Sequence, residues 1–213
     1  MSSATHLKIA VLPLARPTFD VPFAEETCRN AWDLLEQLPA EWTGTRDLLF
    51  DAGAVEARLK EMVEDPPDLL LVLQLTFTDA TMTVKLAETL DAPMLFWSFP
   101  EERSGGRLRL NSLCGINLAS HALGKSGIRC DYLHIHPQDE RALTELQARI
   151  SAHHARKNLS CTRLAVLGQH PDGFHTCAYD AQELKKMAGV TVDQLELRDL
   201  FDEANQVSPT QVE

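Results

Sequence analysis

Asp68-Leu69-Leu70-Leu71-Val72-Leu73-Gln74 is the stretch that sets the fold. It is apolar at every position from Leu69 to Leu73. An alternating pattern would put one face of a strand in water; an unbroken run marks a strand covered on both faces, as in a parallel sheet. Leu75-Thr76-Phe77-Thr78-Asp79 comes next, and then Met82, Leu86 and Leu90 recur four apart, a helical spacing. Asp79 stands where a helix N-cap is expected. Pro93-Met94-Leu95-Phe96-Trp97 is a second short apolar run. Strand, helix and strand make a βαβ unit, which predicts an α/β fold. The loop at 75–79 then lies at the carboxyl end of a buried strand, where open α/β sheets bind ligands.

The rest of the chain repeats this pattern outward from the unit. Residues 8–13 (Lys-Ile-Ala-Val-Leu-Pro) read as a first strand, followed by a loop holding Arg16-Pro17-Thr18. Asp20, with Pro22 two residues on, starts a helix whose apolar face carries Phe23, Ala31, Leu34, Leu35 and Leu38. Residues 46–50 are expected as a short edge strand and 55–63 as a second helix, ended before Pro66-Pro67. Residues 98–110 are irregular. Asn111-Ser112 opens a helix through His121, 130–135 is a fifth strand, and 139–159 a long helix. Five β/α repeats predict a flavodoxin-like or Rossmann-like three-layer sandwich, strand order 2-1-3-4-5, over residues 1–159. Residues 160–213 start a second α/β domain: strands at 163–168 and 190–196, helices at 180–188 and 197–204. Two strands and two helices bury too little surface for an independent core, so this piece either docks on the first domain or, the favoured expectation, the chain is the front of a longer protein.

Composition limits the function classes. The 213 residues are 44% hydrophobic and 24% charged, which fits a globular protein. A net charge of −11 argues against nucleic acid or an acidic membrane surface as a general partner. Apolar runs are far shorter than the roughly 20 residues of a membrane span, and the N-terminus has no basic region followed by an apolar core. The five cysteines (28, 114, 130, 161 and 177) form no C-x-x-C pair, which suits reduced thiols in the cytoplasm.

No G-x-G-x-x-G follows a strand and no G-x-x-x-x-G-K-[ST] occurs, so nucleotide and flavodoxin-type cofactor binding lose their main support. Gly105-Gly106 reads as a turn rather than as a phosphate cradle. His134 and His136 fall on one face of a strand but need a third ligand to hold a metal. His153-His154 points two ways on a helix, and His170-Pro-Asp-Gly-Phe-His175 sits in a loop after a strand. Arg16 follows the first strand at its carboxyl end, stiffened by Pro17; it either binds hydroxyls, carboxylates or phosphates or pairs with Asp20. Gln74, Thr76, Phe77, Thr78 and Asp79 set polar groups beside an aromatic, Trp97 and Phe99 add apolar surface or core, and Asn111, Ser112, Cys114 and Asn117 cluster at a helix start. Hydrogen-bonding groups beside aromatic platforms suit a polyol or sugar. Moving a hydrogen between sugar C1 and C2 needs a base, or a metal holding two oxygens. Glu101-Glu102 is the one carboxylate pair in a candidate loop, and adjacent residues diverge, so no catalytic residue is assigned.

These segments resemble a known family. Arg16-Pro17-Thr18 is similar to the Arg-Pro-Thr motif near the start of L-fucose isomerases. Residues 73–82 (Leu-Gln-Leu-Thr-Phe-Thr-Asp-Ala-Thr-Met) resemble the loop that L-arabinose isomerases write as His-Thr-Phe-Ser-Pro-Ala-Lys-Met. Residues 107–127, with Asn111-Ser112-Leu113-Cys114-Gly115, and 168–180, with His170-Pro171-Asp172-Gly173-Phe174, look like stretches of fucose isomerase-like proteins, in the family's order. The resemblance implies the N-terminal region of a three-domain, oligomeric aldose–ketose isomerase using Mn²⁺ or a similar divalent ion. Metal ligands and catalytic residues are then expected beyond residue 213, and this segment alone is expected to bind no cofactor and to be inactive. On that pattern Arg16 contacts the sugar of an adjacent subunit, and Thr18, Gln74, Thr76, Phe77, Asp79, Trp97, Asn111 and Cys114 complete the substrate-binding set. Leu75 replaces the arabinose isomerase His, which argues against arabinose. A non-enzymatic Rossmann-like sugar-binding or assembly module is the alternative.

Overall fold

Five parallel strands form the sheet around which the first part of the chain is built, in the order β2-β1-β3-β4-β5. The structure is a computed structural model describing residues 7–102 and 105–208; Arg103 and Ser104 of the irregular stretch lie outside the described residues. The strands are β1 (Lys8–Leu14), β2 (Glu41–Gly44), β3 (Leu69–Gln74), β4 (Met94–Ser98) and β5 (Cys130–His134). Helices α1 (Val21–Leu35), α2 (Ala52–Glu64), α3 (Thr81–Thr89), α4 (Ser112–Lys125) and α5 (Ala142–Ser160) follow them in turn.

Side-chain alternation divides the sheet into two apolar faces. Ile9, Val11, Leu69, Leu71, Leu73, Leu95 and Trp97 pack against Ala24, Cys28, Ala31 and Leu35 of α1 and Leu146 and Ile150 of α5. Ala10, Leu12, Leu70, Val72 and Phe96 pack against Val55 and Leu59 of α2, Met82 and Leu86 of α3, and Ile116 and Leu123 of α4. All six residues of β3 are buried. The unbroken apolar run therefore has the cause assigned to it: each parity serves a different helical layer.

Local signals set the helix starts. The Asp20 carboxylate accepts from the Phe23 N–H at 3.1 Å, with Pro22 in the first turn of α1. Asp51 caps α2 in the same way, accepting from Ala54. At α3 the capping position is Ala80, one residue later than expected, and Asp79 reaches over it to accept from the Thr81 N–H at 3.0 Å.

The second strand differs from the sequence expectation. It is 41–44, not 46–50. β2 has four residues, pairs with β1 at the sheet edge and keeps no residue fully buried, so it carries no apolar run to betray it. Gly44 ends it at φ +98°, and a Cβ there would stand 2.2 Å from the Val11 carbonyl oxygen, so a larger residue is excluded. Residues 46–50 run on along β1 irregularly, with the Leu49 N–H on the Pro13 oxygen at 2.8 Å.

The chain divides into two compact units, up to Ser151 and from Ala152 onward, and the division falls within α5. In the second unit, β6 (Arg163–Leu167) and β7 (Thr191–Leu195) pair in parallel, with α6 (Ala181–Ala188) and α7 (Leu197–Ala204) following. Leu164, Leu167, Met187, Leu195, Leu197 and Phe201 are exposed there. Among the described residues no helix is long and apolar enough to cross a membrane.

Candidate functional site

Parallel strands deliver their following loops to one edge, and β1, β3 and β4 are direct neighbours. Their three loops accordingly touch. The Arg16 N–H donates to Thr76 Oγ1 at 2.8 Å, joining the loops after β1 and β3. The Phe77 N–H donates to the Leu110 oxygen at 2.7 Å, and the Asp20 N–H to the Arg109 oxygen at 3.1 Å, joining both to the loop after β4. The gap between β1 and β3 is where the strand order reverses, the switch point at which open α/β sheets form their ligand crevice.

Side chains on this edge alternate cations and aromatic rings. The Arg16 guanidinium pairs with the Asp79 carboxylate and lies 5.7 Å from the Phe77 ring centre. Phe77 and Phe19 sit 6.3 Å apart. The Arg107 guanidinium lies 4.9 Å over Phe19, and that of Arg109 3.8 Å over Phe23. Arg109 Nε also donates to Asp20 at 2.8 Å. Each stack orients a guanidinium through the ring quadrupole.

Two carboxylates here sit below their ordinary pKa. Asp79 is lowered by hydrogen bonds from Thr81, first from its side chain and then its backbone, with Arg16 adding charge. Asp20 is lowered chiefly by the Arg109 hydrogen bond and then by the Phe23 N–H. Both are thus held as anions beside the arginines that pair with them.

Glu101 anchors the third loop. Its carboxylate accepts three consecutive backbone N–H groups: Arg109 at 2.5 Å, Leu110 at 3.0 Å and Asn111 at 2.6 Å. Asn111 itself takes a left-handed conformation at φ +52°, uncommon outside glycine, just before α4. Glu101, Asn111, Cys114 and His134 then line a cleft of about 340 Å³ with Phe99 and Leu108. His134 Nδ1 is 2.8 Å from Ser98 Oγ. Its pKa is lowered by partial desolvation, against the opposing effect of Ser98.

The sequence-derived residues are distributed between surface and support. Arg16, Thr18, Phe77 and Asp79 stand at the loop edge, Thr18 through a carbonyl that accepts from Arg107 at 3.3 Å. Asn111 and Cys114 line the neighbouring cleft. Gln74 and Thr76 are fully buried beneath them. Gln74 Nε2 donates to the Thr76 oxygen at 2.7 Å and to Thr78 Oγ1 at 3.0 Å, fixing the turn that presents Phe77. Trp97 is a core residue, its Nε1 donating to the Ile135 oxygen at 2.9 Å. Arg16 faces Asp79 and not Asp20, which is taken by Arg109. His136 accepts from the Gln138 N–H in the turn beyond β5. Among the described residues no three His, Cys, Asp or Glu side chains group so as to hold a metal ion. Phe19, Arg107 and Arg109 were not expected. The signal for the two arginines is the alternation Arg107-Leu108-Arg109-Leu110, two cations two apart in an acidic chain, and Phe19 carries none.

Residues 10–156 match the family described as fucose/sulfoquinovose isomerase, N-terminal domain. Curated relatives extend the similarity further along the chain. A sulfoquinovose isomerase of Alkalicoccus urumqiensis is 30% identical over 201 residues, 94% of this chain and 45% of its own length. One of Priestia aryabhattai is 30% identical over 196 residues, 92% of this chain and 44% of its own. A third, of Clostridium sp. (strain MSTE9), is 29% identical over 202 residues. The chain spans slightly less than half the length of these relatives.

Proposed function

Because the chain belongs to the fucose/sulfoquinovose isomerase family through the N-terminal domain, we propose that it is the N-terminal portion of an aldose–ketose isomerase acting on a sugar of the sulfoquinovose type. Its strand-end loops form one wall of the sugar cleft and contribute to subunit contacts in an oligomer. The observation that carries this reading is the junction of the loops after β1 and β3. There Arg16 is fixed through its own N–H to Thr76, through its guanidinium to Asp79, and over the face of Phe77. A planar cation held in this way donates several N–H groups outward to sugar oxygens at low entropic cost, while the Phe77 face offers a surface for C–H groups.

Isomerisation moves a hydrogen between C1 and C2 and needs a base or a metal that holds both oxygens. Among the described residues no three His, Cys, Asp or Glu side chains group so as to hold such a metal. We therefore assign the divalent ion, Mn²⁺ or similar, and the proton-transfer groups to other parts of the full-length enzyme. The role left to this portion is binding and orientation, with a cytoplasmic setting that suits its free cysteines.

Arg16→Ala in the full-length enzyme tests the reading. The expected result is a loss of more than tenfold in kcat/KM, about 1.4 kcal/mol or more of transition-state binding. The exposed Arg16–Asp79 pair contributes only about 0–1 kcal/mol to folding, so the variant remains folded. Unchanged kinetics would remove Arg16, and with it this wall, from the active site.

A further inference from the structure

We propose that Arg107, stacked on Phe19 and presented by the loop that Glu101 anchors, is the subsite that recognises the anionic group of a sulfonated sugar. The proposal rests on the isomerase reading and assigns to one side chain the discrimination between charged and neutral sugars. It starts from charge placement. The protein carries −11 overall, yet among the described residues three arginines gather where the loops after β1, β3 and β4 meet. Two of them are compensated at once, Arg16 by Asp79 and Arg109 by Asp20. Arg107 is different. Among the described residues it contacts no carboxylate; its Nη2 donates to the Thr18 carbonyl oxygen at 3.3 Å and its guanidinium stacks 4.9 Å over Phe19. Neither contact cancels a unit charge, so its remaining N–H groups are left to pair an incoming anion.

The group is also held in place before the anion arrives. Phe19 supports the guanidinium plane from below, and Phe77 supports Phe19 at 6.3 Å. The backbone beyond Arg107 is tied down by the three N–H bonds from residues 109–111 to Glu101. Preorganisation of this kind lowers the entropy lost on binding. A guanidinium matches an oxyanion through two parallel N–H groups. Phe77 lies between Arg16 and Phe19, and Phe19 carries Arg107, so the two cations stand on one run of aromatic rings.

Two measurements decide the matter. In the full-length enzyme, kcat/KM is measured for sulfoquinovose and for quinovose, the sugar lacking the sulfonate, with wild type, Arg107→Gln and Arg107→Lys. The ratio of the two kcat/KM values, charged over neutral, is expected to fall at least tenfold in Arg107→Gln, chiefly through KM, and to recover in part in Arg107→Lys. An equal loss on both sugars, or no change in the ratio, overturns the proposal while leaving the isomerase reading intact. The second measurement needs no turnover. The 213-residue chain is titrated with methanesulfonate and with sodium chloride as the ionic-strength control, following arginine Nε–H resonances. A shift of the Arg107 signal by methanesulfonate alone supports the subsite even if the enzyme isomerises neither sugar, which would refute only the isomerase reading. An Arg107 signal that responds equally to both salts overturns the subsite.

Discussion

Glu101→Gln is the most informative single change to the loop that carries Arg107 and Arg109. The wild-type carboxylate divides its oxygens, Oε1 accepting from Asn111 and Oε2 from Arg109 and Leu110. A glutamine keeps one oxygen. Turned to serve Arg109 and Leu110, it sets an NH2 group against the Asn111 N–H, donor to donor. Leaving that N–H unpaired costs about 1–3 kcal/mol. The two remaining bonds lose their charge and with it roughly half their strength, about 1 kcal/mol each. The sum is a ceiling of about 5 kcal/mol. Two effects bring it down. Glu101 is half-buried, so water reaches the freed groups, and Asn111 can leave its left-handed conformation, recovering about 1–2 kcal/mol of backbone strain. The expected net loss is about 2 kcal/mol.

Tryptophan fluorescence during urea unfolding is the assay. Trp32, Trp42 and Trp97 are the three tryptophans of the chain, and all lie in the first unit, so the signal reports that unit by itself. With a slope of about 2 kcal/mol per molar urea, the midpoint should drop by about 1 M at constant slope. Glu102→Gln is the matched control: the exposed neighbour should change stability by no more than about 0.5 kcal/mol. A Glu101→Gln midpoint within about 0.2 M of wild type would refute the assignment of these three bonds as the anchor of the loop.

Other expectations follow from single contacts. Gly115→Ala would bring a Cβ to 2.8 Å from Gln74 Nε2, so it should cost about 1–3 kcal/mol by overpacking, read by the same unfolding assay. Asp139 is lowered to about 2 by the Arg141 side chain and then its N–H. Because the folded value is depressed, its contribution is full above 3.8, declines below that pH and is gone once pH passes about 2. The side-chain carboxyl shift of Asp139 should titrate near 2, and Arg141→Ala should move it up toward 3.8. Cys28 is buried, and burial pushes its thiol up to about 12, so a thiol reagent at pH 8 should label the exposed Cys114, Cys161 and Cys177 and reach Cys28 only after denaturation. In the 213-residue chain, limited proteolysis should cut first in the second unit, where large apolar side chains stand exposed and Val190 is buried.

The strands and helices of the first unit were legible because their cause is local and repetitive. An unbroken run such as 69–73, read as a strand, calls for cover on both faces, and the two helical layers supply it. Asp20 with Pro22, and Asp51, announce helix starts by chemistry contained within four residues. β2 failed the same test for a physical reason. An edge strand of four residues is paired on one side and wet on the other, so Glu41-Trp42-Thr43-Gly44 needs no apolar pattern, whereas 46–50, with Leu48 and Leu49, shows one without forming a regular ladder. Trp97 was ambiguous because burial and ligand stacking demand the same residue type; its Nε1 bond to Ile135 places it in the core.

Ion pairing in the loops obeys a different geometry. By proximity in sequence Arg16 should meet Asp20, four residues on. Asp20, however, is spent twice at the start of α1, on the Phe23 N–H and on Arg109. Arg16 turns instead to Asp79, 63 residues away. The sheet order makes that distance short: with β1 beside β3 and β3 beside β4, loops remote in sequence share one edge. Strand order, already predicted as 2-1-3-4-5, puts these loops side by side but does not say which side chains pair across them. Given order 2-1-3-4-5, the loops after β1, β3 and β4 must be neighbours, and each polar or aromatic residue in them becomes a possible partner of every other. Arg107 and Arg109 gain significance only at that point, because an exposed arginine in an irregular stretch is ordinary, and two arginines on aromatic platforms at the switch point of a parallel sheet are not.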